Sequence, residues 1–190
     1  MNIKDYLKYY WLETEYLEKE VRAFFHKNHY LTPEHFLAII VWKSNRSKTK
    51  VIKGIQKQTR SIEEITRDVY EAGESQDKYR QIEILKDIDG IGIPIASAIL
   101  TVLYPDDFTV ADYRVAAALE KIMGEKIRNP ANSVKAYRAY INICLDIGKK
   151  NHLSLRNVDR ALWGRDSYEG KGGIKELAAS VEKSGWAFRE

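Results

Sequence analysis

The sequence predicts an all-α protein. Apolar residues recur every three or four positions through most of the chain, which is the spacing of one face of a helix. Several of these apolar runs directly follow a residue of the kind that caps the start of a helix. No segment alternates apolar and polar residues beside a hairpin turn, as a strand would. About nine or ten helices are therefore expected.

The N-terminal region is predicted to form two helices. Apolar side chains keep helical spacing from Ile3 to Phe24, so one continuous helix is expected there. Thr32 followed by Pro33 is an N-cap with a first-turn proline, and this pair starts a second helix that runs through Trp42.

Two further helices are predicted before the middle of the chain. Ser61 and Glu64 have the spacing of a capping box, which starts a helix that ends near Gly73. Ser75 is expected to cap the following helix, which runs to Ile88.

The C-terminal third is predicted to contain a capped helix and a loop. Ser154 can cap a helix that includes Val158, Leu162 and Trp163. The stretch from residue 164 to 173 is rich in glycine and in charges of both signs, which predicts a surface loop.

Positive charge is concentrated in one window of the chain. The sequence has 31 Lys and Arg against 27 Asp and Glu, a formal net charge of +4. Seven basic residues and no acidic one lie between Lys43 and Arg60, so the rest of the chain is net negative. The window is either a solvated helix face or a surface that binds nucleic-acid phosphates. We prefer the second interpretation, because clustered positive charges repel one another unless an anion lies against them.

The composition excludes several classes of protein. A single cysteine, Cys144, can form neither an internal disulfide nor an iron–sulfur or cysteine-based zinc site. The longest apolar run, residues 93–104, contains Pro94 and is too short to span a membrane. The first residues lack the apolar stretch of a secretory signal. A cytoplasmic protein without membrane contact is expected.

The most specific motif lies between residues 85 and 100. Gly90 and Gly92 flank one apolar residue between two apolar helices, where glycine permits a positive φ and the close approach of another backbone. Pro94 suits the first turn of the second helix. The amides of Gly92 and Ile93 would lie at the positive end of that helix, where they can bind a phosphate without reading base sequence.

The segment from Leu85 to Leu119 resembles the helix-hairpin-helix DNA glycosylase superfamily. Asp112 lies 22 residues after Gly90 and directly before an apolar helix, where that superfamily has its catalytic aspartate. More weakly, residues 42–45 resemble the helix that leads into the base-flipping wedge loop. The C-terminal third of the chain does not contribute to the resemblance.

The resemblance is to a small branch of the superfamily. Pro94 stands where members that also cleave the backbone have a lysine, and proline cannot form a Schiff base. The single cysteine matches branches without an iron–sulfur cluster. Ala111 and Arg114 replace the usual valine and histidine around the aspartate, which leaves the target base open.

The resemblance implies a bilobal fold and an activity. Residues 29–108 would form a lobe that carries the hairpin, and residues 1–28 with 109–190 would form the other, with Asp112 in the cleft between them. The implied function is a monofunctional DNA glycosylase of base excision repair, which hydrolyses the glycosidic bond of a flipped, damaged base. Two alternatives stay open. One is a catalytically inactive helix-hairpin-helix module that binds nucleic acid, in which Asp112 only caps its helix. The other is a protein–protein adaptor.

The resemblance also implies a partner and its contacts. Duplex DNA is the expected partner, without an obligate protein partner, and a bacterial or archaeal protein of this kind would associate with the nucleoid. A monovalent cation, Na⁺ or K⁺, would be held by the backbone carbonyls of Lys86, Ile88 and Ile91, and no other cofactor is expected. The expected DNA-binding residues are Lys43, Asn45, Arg46, Lys48, Lys50, Gly90, Gly92 and Ile93.

Two groups of residues fit either a site or a structural role. Aromatic residues near the N terminus and on the second helix could stack on a flipped base, although rings at helical spacing also pack cores. These residues are Tyr9, Tyr10, Trp11 and Trp42. A second group could either join the lobes or belong to the site, namely Asp159, Arg160 and Trp163.

Overall fold

The computed structural model describes residues 2–10, 15–75, 77 and 79–183. Within these ranges the chain forms ten α-helices, two short 3-10 helices and one π-helical segment, with no β-strand among them. The predicted all-α class is confirmed. None of the described helices is both long enough and apolar enough to cross a membrane.

The α-helices are numbered here in chain order. They are α1 (Arg22–Asn28), α2 (Pro33–Ser44), α3 (Lys48–Gln56), α4 (Ile62–Gly73), α5 (Arg80–Lys86), α6 (Ile93–Leu103), α7 (Tyr113–Met123), α8 (Val134–Asn151), α9 (Leu155–Glu169) and α10 (Ile174–Lys183). A 3-10 helix (Ile3–Tyr9) and a π-helical segment (Tyr16–Val21) precede them, and a second 3-10 helix (Asn45–Ser47) joins α2 to α3.

Several predicted helix starts are confirmed. The Thr32 side chain caps α2, and the first residue of that helix is Pro33, as expected. Ser61 and Glu64 form the predicted capping box, with hydrogen bonds of 3.2 and 2.7 Å, and α4 ends at Gly73. Ser154 caps α9. These starts are predictable because a cap is a bond between residues two or three apart.

Two of the predicted helices are wrong in their extent. The expected continuous helix from Ile3 to Phe24 is interrupted, because the 3-10 helix ends at Tyr9 and the backbone of Tyr10 is extended. Ser75 does not cap α5. Its hydroxyl donates instead to the Ala72 carbonyl at 2.7 Å, at the end of α4.

The loop predicted for residues 164–173 is also wrong for most of its length. Helix α9 continues to Glu169, and Gly164 lies within it. A β-carbon at Gly164 would lie 2.2 Å from the Tyr6 carbonyl oxygen. Glycine is therefore needed there for close packing, because it lets the 3-10 helix Ile3–Tyr9 lie directly against α9.

Helix α6 lies at the centre of the fold. Every residue from Ile93 to Leu103 except Pro94 is buried, and the helix packs against α1, α2 and α5. Buried apolar residues of both predicted lobes, among them Ile39 and Leu162, belong to one continuous cluster. The division of the chain into lobes 29–108 and 1–28 with 109–190 stays a prediction.

Candidate functional site

An open cleft of about 660 Å³ lies where α2 ends, the hairpin enters α6, and α7 begins. A cleft of this size can admit a nucleobase. Four predicted site residues line it, namely Lys43, Arg46, Gly92 and Asp112. They come from three separate segments of the chain, so packing brings these segments together.

Asp112 uses both carboxylate oxygens. Its Oδ1 accepts a hydrogen bond from the Arg114 amide at 2.9 Å, which caps α7 as predicted. Its Oδ2 lies 2.5 Å from Nζ of Lys43, and the two side chains are 17% and 13% exposed. The carboxylate is therefore oriented from two sides and paired with a positive charge at the cleft wall.

Buried hydrogen bonds fix the backbone that leads to Asp112. The Ala111 amide donates to the Ser97 hydroxyl of α6 at 2.9 Å. The Tyr137 hydroxyl of α8 donates to the Thr109 carbonyl at 2.6 Å. The Tyr140 hydroxyl donates to the Val110 carbonyl at 3.1 Å. Burial raises the pKa of each tyrosine well above the usual value for a phenol. Both hydroxyls are therefore protonated and can donate throughout the neutral and alkaline range.

A smaller pocket of about 70 Å³ adjoins Asp112 and Lys43. A buried ion pair between Arg156 and Asp159 lies at this pocket, and Arg156 also contacts the Tyr10 hydroxyl at 3.0 Å. Burial raises the pKa of the Asp159 carboxyl, and the adjacent Arg156 charge opposes that shift. Charged groups therefore lie beneath the cleft as well as within it.

The two hairpin glycines have different reasons to be glycine. Gly90 has a φ of +93°, and a β-carbon there would lie 3.1 Å from the Lys50 carbonyl oxygen. Gly92 has a φ of −98° and is exposed, and a β-carbon there would approach nothing closer than 3.7 Å. The fold therefore does not require glycine at position 92. The amides of Gly92 and Ile93 donate no hydrogen bond to any described residue, and Gly92 faces the cleft.

Helix α3 packs directly on the hairpin. A β-carbon at Gly54 would lie 1.8 Å from the Asp89 carbonyl oxygen, so only glycine allows this approach. Lys57 pairs with the Asp89 carboxylate at 3.0 Å, and Gln58 donates to the Asp87 carbonyl at 3.1 Å. The basic window and the hairpin therefore form one continuous surface.

The basic window does not act as one uniform face. Three of its residues pair with acids from elsewhere in the chain, because Lys43 contacts Asp112, Lys57 contacts Asp89, and Arg60 contacts Asp68 at 2.8 Å. Acids of the chain itself therefore neutralise part of the window, and its binding to nucleic acid stays a prediction. Four exposed basic residues form no ion pair with a described acid, namely Arg46, Lys48, Lys50 and Lys53.

The remaining predicted residues do not line the cleft. Asn45 is exposed at the start of the 3-10 helix, Lys48 is exposed at the start of α3, and the Ile93 side chain is buried. Of the carbonyls expected to hold a cation, that of Ile88 accepts a bond from the Ile91 amide at 3.0 Å. A carbonyl has a second lone pair, so this bond is compatible with a cation ligand. The cation site stays a prediction.

Most of the residues whose role the sequence left open lie at the small pocket. Tyr10, Trp42 and Trp163 line the small pocket, and Asp159 is one of its buried walls. Arg160 pairs with Glu18 at 2.7 Å. Trp11 lies outside the described residues, as does the side chain of Tyr9.

Sequence reasoning missed several residues of this region, among them Tyr113, Asn129 and Arg156. Tyr113, adjacent to Asp112, could have been found from its position in the motif. Asn129 and Arg156 are brought in by distant elements and have no local signal.

Comparisons with known proteins add no relative. No protein-family model matches the sequence, and neither a curated protein nor a solved structure matches it. The resemblance of residues 85–119 to helix-hairpin-helix glycosylases therefore stays a prediction.

Proposed function

We propose that the protein binds duplex DNA and acts as a monofunctional DNA N-glycosylase, hydrolysing the glycosidic bond of a damaged base flipped out of the helix. The main support is the position of Asp112 in an open cleft beside the hairpin, which the exposed Arg46 also lines. A carboxylate in such a cleft stabilises the positive charge that develops on the sugar as the glycosidic bond breaks.

The chemistry follows from the groups around the cleft. The free amides of Gly92 and Ile93 and the exposed basic residues of α3 hold the DNA backbone by its phosphates. Asp112 then faces the sugar of the extruded nucleotide, and Lys43 keeps the carboxylate oriented. Water adds to the sugar carbon as the base leaves with its bonding electrons and takes up a proton, which leaves an abasic site in an intact strand.

The implied cation would have a supporting role only. The carbonyls of Lys86, Ile88 and Ile91 would hold Na⁺ or K⁺, which supplies positive charge beside the bound phosphate. No step of the hydrolysis passes through it.

The test is base release from oligonucleotides that contain a panel of damaged bases, detected as strand breaks after alkali. We expect Asp112→Asn to reduce the rate on an active substrate at least about 100-fold, because it removes the charge and retains a capping side chain. Asp146→Asn, an exposed change on α8, is the matched control and should leave the rate unchanged. Activity that survives Asp112→Asn would exclude the proposed role of this carboxylate.

A catalytically inactive nucleic-acid-binding module is the second candidate. It is favoured by one observation, that both oxygens of Asp112 already have structural partners. Duplex binding with a steep dependence on salt, but without release of any base, would support this module. An affinity for duplex DNA that does not change with salt concentration would exclude both candidates and favour a protein adaptor.

A further inference from the structure

An unusually exposed aromatic side chain lies at the cleft. Tyr113 is 71% exposed, whereas the other exposed large hydrophobic residues of the described chain are 36–57% exposed. It is adjacent to Asp112 in sequence and lines the same cleft. Most of its ring surface is therefore available to a ligand that enters there.

The backbone places this ring at the cleft, and the Arg114 side chain lies beside it. Tyr113 is the first residue of α7, directly after the capping residue Asp112. Its hydroxyl accepts a hydrogen bond from Nε of Arg114 at 3.2 Å. The Arg114 guanidinium lies 5.9 Å from the centroid of the Tyr113 ring and 5.8 Å from that of Trp163. The Arg114 cation thus lies near both aromatic rings, and all three side chains line the cleft.

The fold itself gains little from the tyrosine ring. Tyr113 does not belong to the hydrophobic cluster or to the partly buried residues packed against it. Arg114, its partner, also has Asp166 at 3.9 Å. An exposed aromatic ring without a packing role, beside a carboxylate in a cleft, has the properties of a ligand contact.

We infer that Tyr113 is a stacking platform for an unpaired nucleobase at the entrance of the cleft. The inference rests on the proposed function, since it requires a nucleic-acid ligand. Any base can stack on an aromatic ring, because every base presents a π-face, and a nearby Arg adds a cation–π contribution. The bases of a paired duplex present no such face, so Tyr113 contributes only after a base has left the helix. Tyr113 is a positioning residue and does not touch the reacting atoms.

The test compares two duplexes of equal length, one fully paired and one with a single unpaired nucleotide. The dissociation constant of each is measured by fluorescence anisotropy at one fixed salt concentration. The wild-type protein should prefer the unpaired duplex, and Tyr113→Ala should reduce that preference by roughly 5- to 150-fold. Tyr113→Phe keeps the ring and should keep the preference. Affinity for the paired duplex should be the same in all three proteins, because phosphate contacts supply it.

Tyr16→Ala is the matched control. Tyr16 is 45% exposed and lines neither the cleft nor the small pocket, so its removal should leave the preference unchanged. An equal preference in Tyr113→Ala and the wild type, or no preference in the wild type, would overturn the inference while leaving duplex binding intact. A loss in Tyr113→Phe equal to that in Tyr113→Ala would assign the effect to the hydroxyl and also overturn it. A wild-type protein that binds neither duplex would overturn the proposed function itself.

Discussion

The pairing of Lys43 with Asp112 is the central feature at the scale of the residue. Lys43 was predicted to contact DNA, but its ammonium lies on the carboxylate expected to perform the chemistry. The pair is partly buried, so removing one partner costs more stability than it would in a pair on the surface. Lys43 therefore orients Asp112 in addition to contributing positive charge to the cleft.

We expect Lys43→Met to destabilise the protein by about 1–3 kcal/mol, because it leaves a partly buried carboxylate without its partner. In the double variant Lys43→Met/Asp112→Asn no such charge remains, and asparagine can still cap α7. The loss in the double variant should therefore be smaller than the sum of the two single losses, by about 1–2 kcal/mol. Urea unfolding of the four proteins measures this coupling, and strictly additive losses would contradict it.

At the scale of the element, the contact between α3 and the hairpin shapes the candidate interface. Gly54 lies against the Asp89 carbonyl, and this contact brings α3, with its exposed lysines, onto the hairpin. Neither the basic window nor the hairpin indicates this contact in the sequence. Glycine in the middle of a helix is unfavourable by itself, so a close contact is its physical reason.

Gly54→Ala should destabilise the protein by about 1–3 kcal/mol, because the added methyl group overlaps a backbone carbonyl and outweighs the better helix propensity of alanine. The affinity of the Gly54→Ala protein for duplex DNA should also fall, because the added methyl group pushes α3 away from the hairpin. Gly92→Ala is the control for stability, because the space in front of Gly92 is open. Urea unfolding should show a change within about 0.5 kcal/mol for Gly92→Ala. An equal loss in both variants would be inconsistent with close packing at Gly54.

At the scale of the whole molecule, a partly buried ion network joins the N-terminal region to α9 beside the cleft. Glu18, in the π-helical segment, lies 3.1 Å from Arg156 and 2.7 Å from Arg160. Arg156 also pairs with the buried Asp159. The network connects elements at opposite ends of the described sequence, and it supports the floor of the small pocket.

Arg156→Met should cost about 3–5 kcal/mol, because it leaves Asp159 as an uncompensated buried charge. For a chain of this size, that loss corresponds to a fall in Tm of about 6–20 °C by calorimetry. Lys19→Met, which breaks an exposed pair with Glu15, is the matched control and should lower the Tm by no more than about 4 °C. A fall no larger than that of the control would show that the network does not stabilise the fold.

The sequence by itself determined the all-α class, the starts of α2, α4 and α9, and the role of Asp112 as a cap. These features depend on apolar spacing or on hydrogen bonds between residues close in the chain, so their signals are local. The break after Tyr9 and the continuation of α9 through Gly164 were not predicted from the sequence. At both places packing between distant elements outweighs local preference.

Only the tertiary structure decided how the site is assembled. It placed Lys43 against Asp112 across 69 residues of sequence, and it paired three of the seven basic residues of the window with acids outside the window. It also left Tyr113 exposed beside the cleft. These contacts depend on which helix faces pack together, and a single sequence contains no local signal for that choice.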